Sequence, residues 1–318
     1  MANYLIDGGA HIDAALTNLA IKAFDGGMSA IGPRLFPPVP VGKQSDVYYI
    51  VDPDSWLRIP DTKRSPKAPT NLGEWKVTSD VYFAHNFAFG TDYAKEALSQ
   101  ADQAVNVRQG STVFVLEALM RDYERRCFLK IDSITNVGSG VALTGVNKWS
   151  AYTSSDPIGD VNSGHAFIRG KTGLLANVAC MDYDTWVALR HHPVIRDYAK
   201  YTNDGPVPDA VLRDVFRVGE IMIAQGIFNS AKEAATASMQ NMWGNTFFLA
   251  HLEAPNGLMT RTFGLGMRWQ PDEFPGPMVV ERFDHFDRTK RVEVQQAQYF
   301  QDEKIVAKDL GYVIRATL

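Results

Sequence analysis

The chain has 318 residues, of which 45% are hydrophobic and 21% charged, and its formal net charge is -4. This composition is ordinary for a globular protein of about two domains, and it excludes a wholly disordered chain. A tight, sequence-independent nucleic-acid binder is normally basic because it neutralises phosphates, so the mild acidity argues against that class. The start of the chain has no basic region typical of a signal peptide, and no apolar run approaches the roughly 20 residues of a membrane span. The sequence predicts a soluble protein made in a cytoplasm, with no membrane partner.

The first 42 residues are predicted to form an N-terminal arm. Residues 14–23 carry apolar side chains at helical spacing and predict a short helix. Four prolines fall within residues 33–40 and forbid both a helix and a central strand, so this stretch is expected to be extended. Apolar side chains on an extended arm indicate a partner surface, and we expect inter-subunit contacts at Leu35, Phe36 and Val39. Deletion of residues 1–40 is expected to leave a folded subunit that cannot assemble.

Residues 43–90 predict a long two-stranded β-ribbon. One strand covers 46–51 and extends toward residue 59, and the return strand covers 73–83, because both are rich in β-branched and aromatic residues. The intervening segment is polar, basic and interrupted by proline and glycine, as expected of a projecting tip. Its basic side chains favour salt bridges to a neighbouring subunit, with nucleic-acid binding as the alternative. Further inter-subunit contacts are expected at Trp56, Arg58, Lys63, Arg64, Lys67 and Trp75.

Residues 91–131 are predicted to be helical, with a first piece at 92–100 and a long amphipathic helix at about 107–131. Apolar side chains recur every three or four residues in the second piece, and acids stand four residues before bases on its other face. Residues 132–172 are rich in turn signals, with Gly138-Ser139-Gly140, Asp156-Pro157 and Ser163-Gly164. From residue 176 onward short strands alternate with helices, and residues 278–280, 291–300 and 305–316 are strand-like. The predicted fold class is α+β.

No set of side chains points clearly to catalysis, and we expect no enzymatic activity, metal or cofactor. His191-His192 is interpreted as a helix C-terminus rather than a metal site. Asp284-His285-Phe286-Asp287 lies among other charges and is interpreted as a charged surface cluster rather than a ligand set. The two cysteines, Cys127 and Cys180, are expected to be buried thiols, with a disulfide as the alternative.

The order of these features resembles the major capsid proteins of tailed bacteriophages with the Hong Kong 97-like fold. The arm, the ribbon and the helix at 107–131 are similar to that family's N-terminal arm, extended loop and spine helix. Residues 176–195, 218–231 and 242–250 resemble its axial domain. The resemblance implies the following division: 1–42 arm, 43–90 extended loop, 91–149 peripheral domain, 150–270 axial domain, 271–302 return strands of the peripheral domain, and 303–318 a C-terminal strand returning to the axial domain.

The resemblance also implies a function and partners. A major capsid protein forms pentamers and hexamers of itself, and these build an icosahedral head around double-stranded DNA that it does not read by sequence. The implied partners are a portal protein and a separate scaffolding protein, the latter because the chain begins almost at the arm. The resemblance also allows a decoration protein as a partner. The location implied is the virion, after assembly in the bacterial cytoplasm. The alternatives are an encapsulin-like compartment shell and, in another class, a soluble hydrolase.

Overall fold

The structure is a computed structural model, and it describes residues 11–12, 16–17, 30–51, 57–67, 69–74, 76–96, 104–199, 207–232, 235–258, 260–285 and 291–318. Its helices are α1 Gly32–Leu35, α2 Ala104–Ile131, α3 Ile134–Val137, α4 Pro157–Thr172, α5 Tyr183–His191, α6 Pro193–Ala199 and α7 Asp209–Phe216. Its strands are β1 His11–Ile12, β2 Pro38–Val41, β3 Ser45–Val51, β4 Val77–Phe83, β5 His85–Ala94, β6 Gly140–Ala142, β7 Val178–Asp182, β8 Glu220–Ala224, β9 Ile227–Asn229, β10 Met239–Asn241, β11 Thr246–Ala250, β12 Gly264–Trp269, β13 Val279–Asp284, β14 Val292–Ile305 and β15 Gly311–Arg315. The α+β prediction is confirmed.

One sheet of six strands is organised by the long strand β14. Strands β12 and β13 pair with successive parts of β14, and β5 pairs with it over the same stretch, so β5 must lie along the opposite edge. The small strands β1 and β2 extend the sheet beyond β13 and β12. Helix α2 packs on this sheet, chiefly against β5 and β14.

A second sheet of five strands has the order β6-β15-β11-β7-β8. Its central strands β7 and β11 are buried at every position, as expected where helices cover a sheet. The predicted strand at 178–181 and the predicted helix at 208–216 are both confirmed. The C-terminal strand β15 lies between β11 and β6, so the end of the chain belongs to this sheet.

Helix α4 was missed in the sequence, where residues 132–172 appeared rich in turns. It begins at Pro157, and the side chain of Asp156 caps it by accepting a hydrogen bond from the backbone N–H of Gly159 at 3.0 Å. The glycines suggested turns, but Gly164 is needed for packing. A Cβ there would lie 2.7 Å from the Leu249 side chain and 2.8 Å from the ring of Tyr312. The glycine allows α4 to approach the second sheet closely.

Two other expectations are wrong. Residues 92–94, expected to be helical, belong to β5. Residues 33–35, where helix was thought forbidden, form the single turn α1, because Pro33 occupies its first turn, where a missing N–H costs little. Strand β2 also forms at Pro38–Val41, and it is an edge strand, the position where proline is tolerated.

Cys127 and Cys180 are buried free thiols, as expected. Within the described residues, no helix is both long enough and apolar enough to span a membrane. The predicted helix at 14–23 lies almost wholly outside the residues that the structure describes.

Candidate assembly surface

The apolar side chains of the arm lie inside this subunit. Leu35, Phe36 and Val39 are all buried in the single chain. Phe36 packs against Phe263 with ring centroids 6.0 Å apart, and its carbonyl accepts a hydrogen bond from the hydroxyl of Tyr123 at 3.1 Å. Their burial requires no neighbour, so the argument that placed inter-subunit contacts at these three positions no longer holds. The proline-rich stretch is part of the subunit core.

A buried carboxylate, that of Glu124 on α2, attaches the arm to the rest of the chain. It accepts hydrogen bonds from the backbone N–H groups of Ile31 at 3.1 Å and Gly32 at 2.6 Å, and from the indole N–H of Trp243 at 2.6 Å. Burial raises the pKa of Glu124, and these three hydrogen bonds oppose the rise. One side chain therefore joins the arm, the long helix and the loop before β11.

The ribbon formed by β3 and β4 has two different faces. Tyr48 and Tyr82 point to one face and are buried in a small core with Val39, Leu265, Met267 and Val306. On the other face, Val47 lies opposite Val81 in the antiparallel register, and Tyr49 and Phe83 share that face by alternation. These four side chains are 44% (Val47), 55% (Tyr49), 52% (Val81) and 45% (Phe83) exposed. We call this set the outward ribbon face.

The ribbon is attached firmly at its base. The backbone N–H of Phe83 donates to the carboxylate of Asp302 on β14 at 3.0 Å. The hydroxyl of Tyr82 donates to the carbonyl of Lys43 at 3.1 Å, and that of Tyr48 to the carboxylate of Asp80 opposite it at 3.1 Å. Arg126 of α2 joins the same region, because its guanidinium lies 3.5 Å from the centroid of the Phe87 ring on β5 and bonds to Glu303 at 3.1 Å. The base of the ribbon is therefore bonded both within itself and, through Phe83 and Asp302, to β14.

Beyond β3 and β4, the described residues between 57 and 76 have no regular strand. The predicted strand ends at 56–59 and 73–76 are therefore wrong where the structure describes them. The basic candidates Arg58, Lys63, Arg64 and Lys67 are all exposed here, and Ile59 and Leu72 are each 94% exposed. Trp56 and Trp75 lie outside the described residues. We call residues 57–67 and 69–74 the ribbon tip.

The histidines considered as ligands have ordinary structural positions. His191 is the last residue of α5, and His192 is the buried residue that follows it. His285 donates its backbone N–H to Val292 at 3.0 Å, and Asp284 pairs with Lys95 at 2.7 Å. Among the described residues, no group of three or more histidine, cysteine, aspartate or glutamate side chains is arranged to hold a metal ion.

The chain is similar to proteins of phage heads. It is 26% identical over 259 residues to the major capsid protein of Burkholderia phage BcepMu, a match that covers 79% of this chain and 80% of that protein. A phage-related protein from Bordetella bronchiseptica RB50 shares its structure with a TM-score of 0.72, at 20% identity and over 97% of this chain and 98% of that one. The capsid structure of cyanophage P-SCSP1u matches with a TM-score of 0.56 at 11% identity, over 88% and 86% of the two chains. No protein-family profile matches the sequence.

This chain has the Hong Kong 97-like capsid fold. The resemblance to tailed-phage major capsid proteins that the sequence indicated is confirmed. In this capsid fold the helix α2 corresponds to the predicted spine helix, which begins three residues earlier than expected, at Ala104.

The outward ribbon face is the part of the capsid fold's surface that the sequence reasoning missed. The sequence contained part of the signal. Successive side chains of a strand point to opposite sides, so a strand at 46–51 places Val47 and Tyr49 on one side and Tyr48 and Ile50 on the other. Every residue of that stretch after Asp46 is apolar or aromatic, so alternation alone could not tell which side the subunit covers.

Proposed function

We propose that this protein is the major capsid protein of a tailed bacteriophage. It is a structural shell subunit, a component of the virion, and it assembles with copies of itself. The observation that carries this function is the match to a phage major capsid protein over about four-fifths of both chains, 79% and 80%. An encapsulin-like shell fits less well because the curated relatives are phage major capsid proteins.

The finer features are part of the same proposal. The copies form pentamers and hexamers of an icosahedral head that encloses double-stranded DNA without reading its sequence. A separate scaffolding protein and a portal protein take part in assembly in the host cytoplasm, and a decoration protein is compatible with the surface. The net charge of -4 supports a shell that does not hold the genome tightly, because a subunit without a basic surplus releases few counterions on contact with DNA.

We also propose that the chain has a peripheral and an axial domain. Strand pairing changes two of the boundaries that the sequence predicted for them. The six-stranded sheet and α2 form the peripheral domain, and the five-stranded sheet forms the axial domain. Strand β6, at Gly140–Ala142, pairs with β15 and is therefore assigned to the axial domain. Strand β12, at Gly264–Trp269, pairs with β14 and is assigned to the peripheral domain.

The decisive experiment is negative-stain electron microscopy of the purified full chain, with a sizing column alongside and with candidate scaffolding protein in a parallel sample. Closed shells, or rings of five or six subunits, are the expected result. A protein that stays monomeric in every condition, including with scaffolding, contradicts the proposal. The contents of any particles separate a phage head from an enzyme compartment.

Deletion of residues 1–40 is no longer a useful test of assembly. That deletion removes Leu35, Phe36 and Val39 from the subunit core and removes β2 from the sheet, so we expect it to unfold the protein. Limited trypsin digestion is a better second test, because Lys63, Arg64 and Lys67 are exposed in the single chain. We expect cleavage there in free subunits and protection in assembled particles. Equal cleavage in both would mean that the tip makes no contact in the shell.

A further inference from the structure

A cavity of about 550 Å³ lies beside the ribbon, and separate pieces of the chain form its wall. The ribbon contributes Ile50 and Leu57, and the segment after α4 contributes Leu174. Leu258 and residues 305–310, which lead from β14 into β15, also line it. This volume lies within the range of roughly 300–1,000 Å³ that is typical of small-molecule sites in proteins.

The wall of the cavity carries apolar side chains that the protein itself does not cover. Leu57 is exposed although it lines the cavity, and Ile50, Leu174 and Leu258 are only partly buried. Apolar side chains around a concave space gain free energy when an apolar molecule removes them from water. The cavity therefore favours an apolar occupant.

Three polar side chains of the wall already have partners within the chain. Asp80 accepts hydrogen bonds from the hydroxyl of Tyr48 at 3.1 Å and from the backbone N–H of Val81 at 2.8 Å. The hydroxyls of Thr172 and Thr260 each donate to a backbone carbonyl, at 2.7 Å and 3.0 Å. Because these groups are satisfied, they do not require a polar ligand.

The charged side chains of the wall balance one another. Among the described residues they are two acids, Asp80 and Asp309, and two bases, Arg261 and Lys308. The hydrogen bond from Val81 lowers the pKa of Asp80, and the charge of Lys308 adds to this effect, so Asp80 stays ionised. A charged ligand would bring a charge for which the wall has no surplus counter-charge, whereas an uncharged ligand needs none.

We propose that this cavity binds one uncharged, largely apolar small molecule, which holds the ribbon against the segment that joins the two sheets. The volume, the apolar wall and the balanced charge together define this ligand class. Ile50 and Leu57 belong to the ribbon, whereas Leu174 and residues 305–310 belong to the body of the subunit. A molecule that contacts both sides stabilises only the arrangement in which the ribbon lies against the body. The site is complete in a single subunit and does not depend on assembly.

Two related fluorescent dyes test the site on the free full-length subunit. The uncharged dye is N-phenylnaphthylamine, and we expect it to bind saturably, with one molecule per subunit, and to raise the melting temperature at saturation. The charged dye, anilinonaphthalene sulfonate, has a similar aromatic body with a negative charge, and it should bind more weakly by about tenfold or more. Absence of saturable binding by the uncharged dye, or equal affinity for the two dyes, overturns the proposal.

Two variants test whether the dye occupies this cavity. Leu174→Trp fills it from the body, and Leu175→Trp, at the exposed neighbour outside the wall, is the matched control. Leu57→Asp places a charge on the ribbon side, and Leu72→Asp, elsewhere on the ribbon tip, is its control. Each cavity variant should weaken binding of the uncharged dye by about tenfold or more, and each control should leave it unchanged.

The variant on the ribbon keeps this test decisive. Leu57 is exposed, so Leu57→Asp should fold even if Leu174→Trp does not. Unchanged melting temperatures without dye show which variants fold. If Leu57→Asp binds the uncharged dye as tightly as the original chain, the cavity is not the binding site and the proposal fails.

Hydrogen exchange measures whether the bound molecule holds the ribbon. At a saturating concentration of the uncharged dye, the backbone amides of β3, β4 and residues 305–310 should exchange more slowly than in the dye-free subunit. In Leu57→Asp, the same dye concentration should slow them much less. Slower exchange at residues 305–310 with no change in β3 and β4 would overturn the role assigned to the ligand.

Discussion

Removal of the Glu124 carboxylate should destabilise the subunit strongly, because three buried donors depend on it. Glu124→Ala leaves the N–H groups of Ile31, Gly32 and Trp243 without an acceptor. Each unsatisfied buried donor costs about 1–3 kcal/mol. The lower end of that range for three donors gives a loss of about 3 kcal/mol in the free energy of unfolding. The relief of no longer burying a carboxylate reduces it, so we expect a loss of about 2 kcal/mol.

Urea denaturation of the unassembled subunit, followed by tryptophan fluorescence, measures this loss. The fully buried Trp243 is in contact with the altered side chain and reports on the same region. Glu117→Ala is the matched control on the same helix. Glu117 pairs with Arg121 in an ion pair whose side chains are 36% (Glu117) and 45% (Arg121) exposed, so its removal should cost no more than about 0.5 kcal/mol.

A third variant refines the interpretation. Glu124→Gln keeps one accepting oxygen and replaces the other by an amide that cannot accept, so its loss should fall between the two alanine variants. If Glu124→Ala and Glu117→Ala differ by less than about 0.5 kcal/mol, the carboxylate does not hold the arm and the reasoning is refuted.

Two further predictions concern the core. His192 bonds through Nε2 to the hydroxyl of Ser155 at 2.9 Å, and its buried Nδ1 has no partner among the residues that the structure describes. Burial lowers the pKa of His192, and the charge of Asp156 opposes this. At this histidine the folded state thus binds fewer protons than the unfolded state, so the free energy of unfolding should fall as the pH drops below about 6.5. Urea titrations between about pH 5 and 7 measure this dependence, and His192→Asn should make it weaker. If His192→Asn leaves the pH dependence of stability unchanged, another titrating group causes it. Gly264→Ala should lower the free energy of unfolding by about 1–3 kcal/mol, because the new Cβ would lie 2.6 Å from the Phe36 ring. Gly170→Ala is the control. Nothing lies within 4 Å of the new Cβ on α4, so this change should raise the free energy of unfolding by up to about 1 kcal/mol. Equal melting temperatures for the two glycine variants would contradict the packing described around Phe36.

The elements with a strong local pattern could be predicted from the sequence. The apolar spacing on α2 defines a helix whatever surrounds it, and the buried strand β7 is a run of apolar residues between turn signals. Helix α4 has no such signal, because its three glycines reduce local helix propensity. Its stability comes from packing on the second sheet. Tertiary contacts therefore determine that residues 157–172 form a helix.

The candidate surface was less predictable for the same reason. Leu35 and Phe36 appeared available to a neighbour because nothing near them in sequence covers them. The residues that do cover them, such as Tyr123 and Phe263, are about 90 and 230 positions away. The charged tip was predictable because exposure of lysine and arginine is the rule and needs no partner to be known.

The long strand β14 has a mechanical consequence. It is bonded on one edge to β5 and on the other to β13 and then β12, and it leads through Lys308–Leu310 directly into β15 of the second sheet. Interstrand hydrogen bonds in an antiparallel sheet lie perpendicular to the strands. Tension along the chain direction between the two sheets therefore loads many hydrogen bonds in shear at once and does not open them one by one. A subunit with this strand resists stretching in the direction of β14 far better than peeling across it.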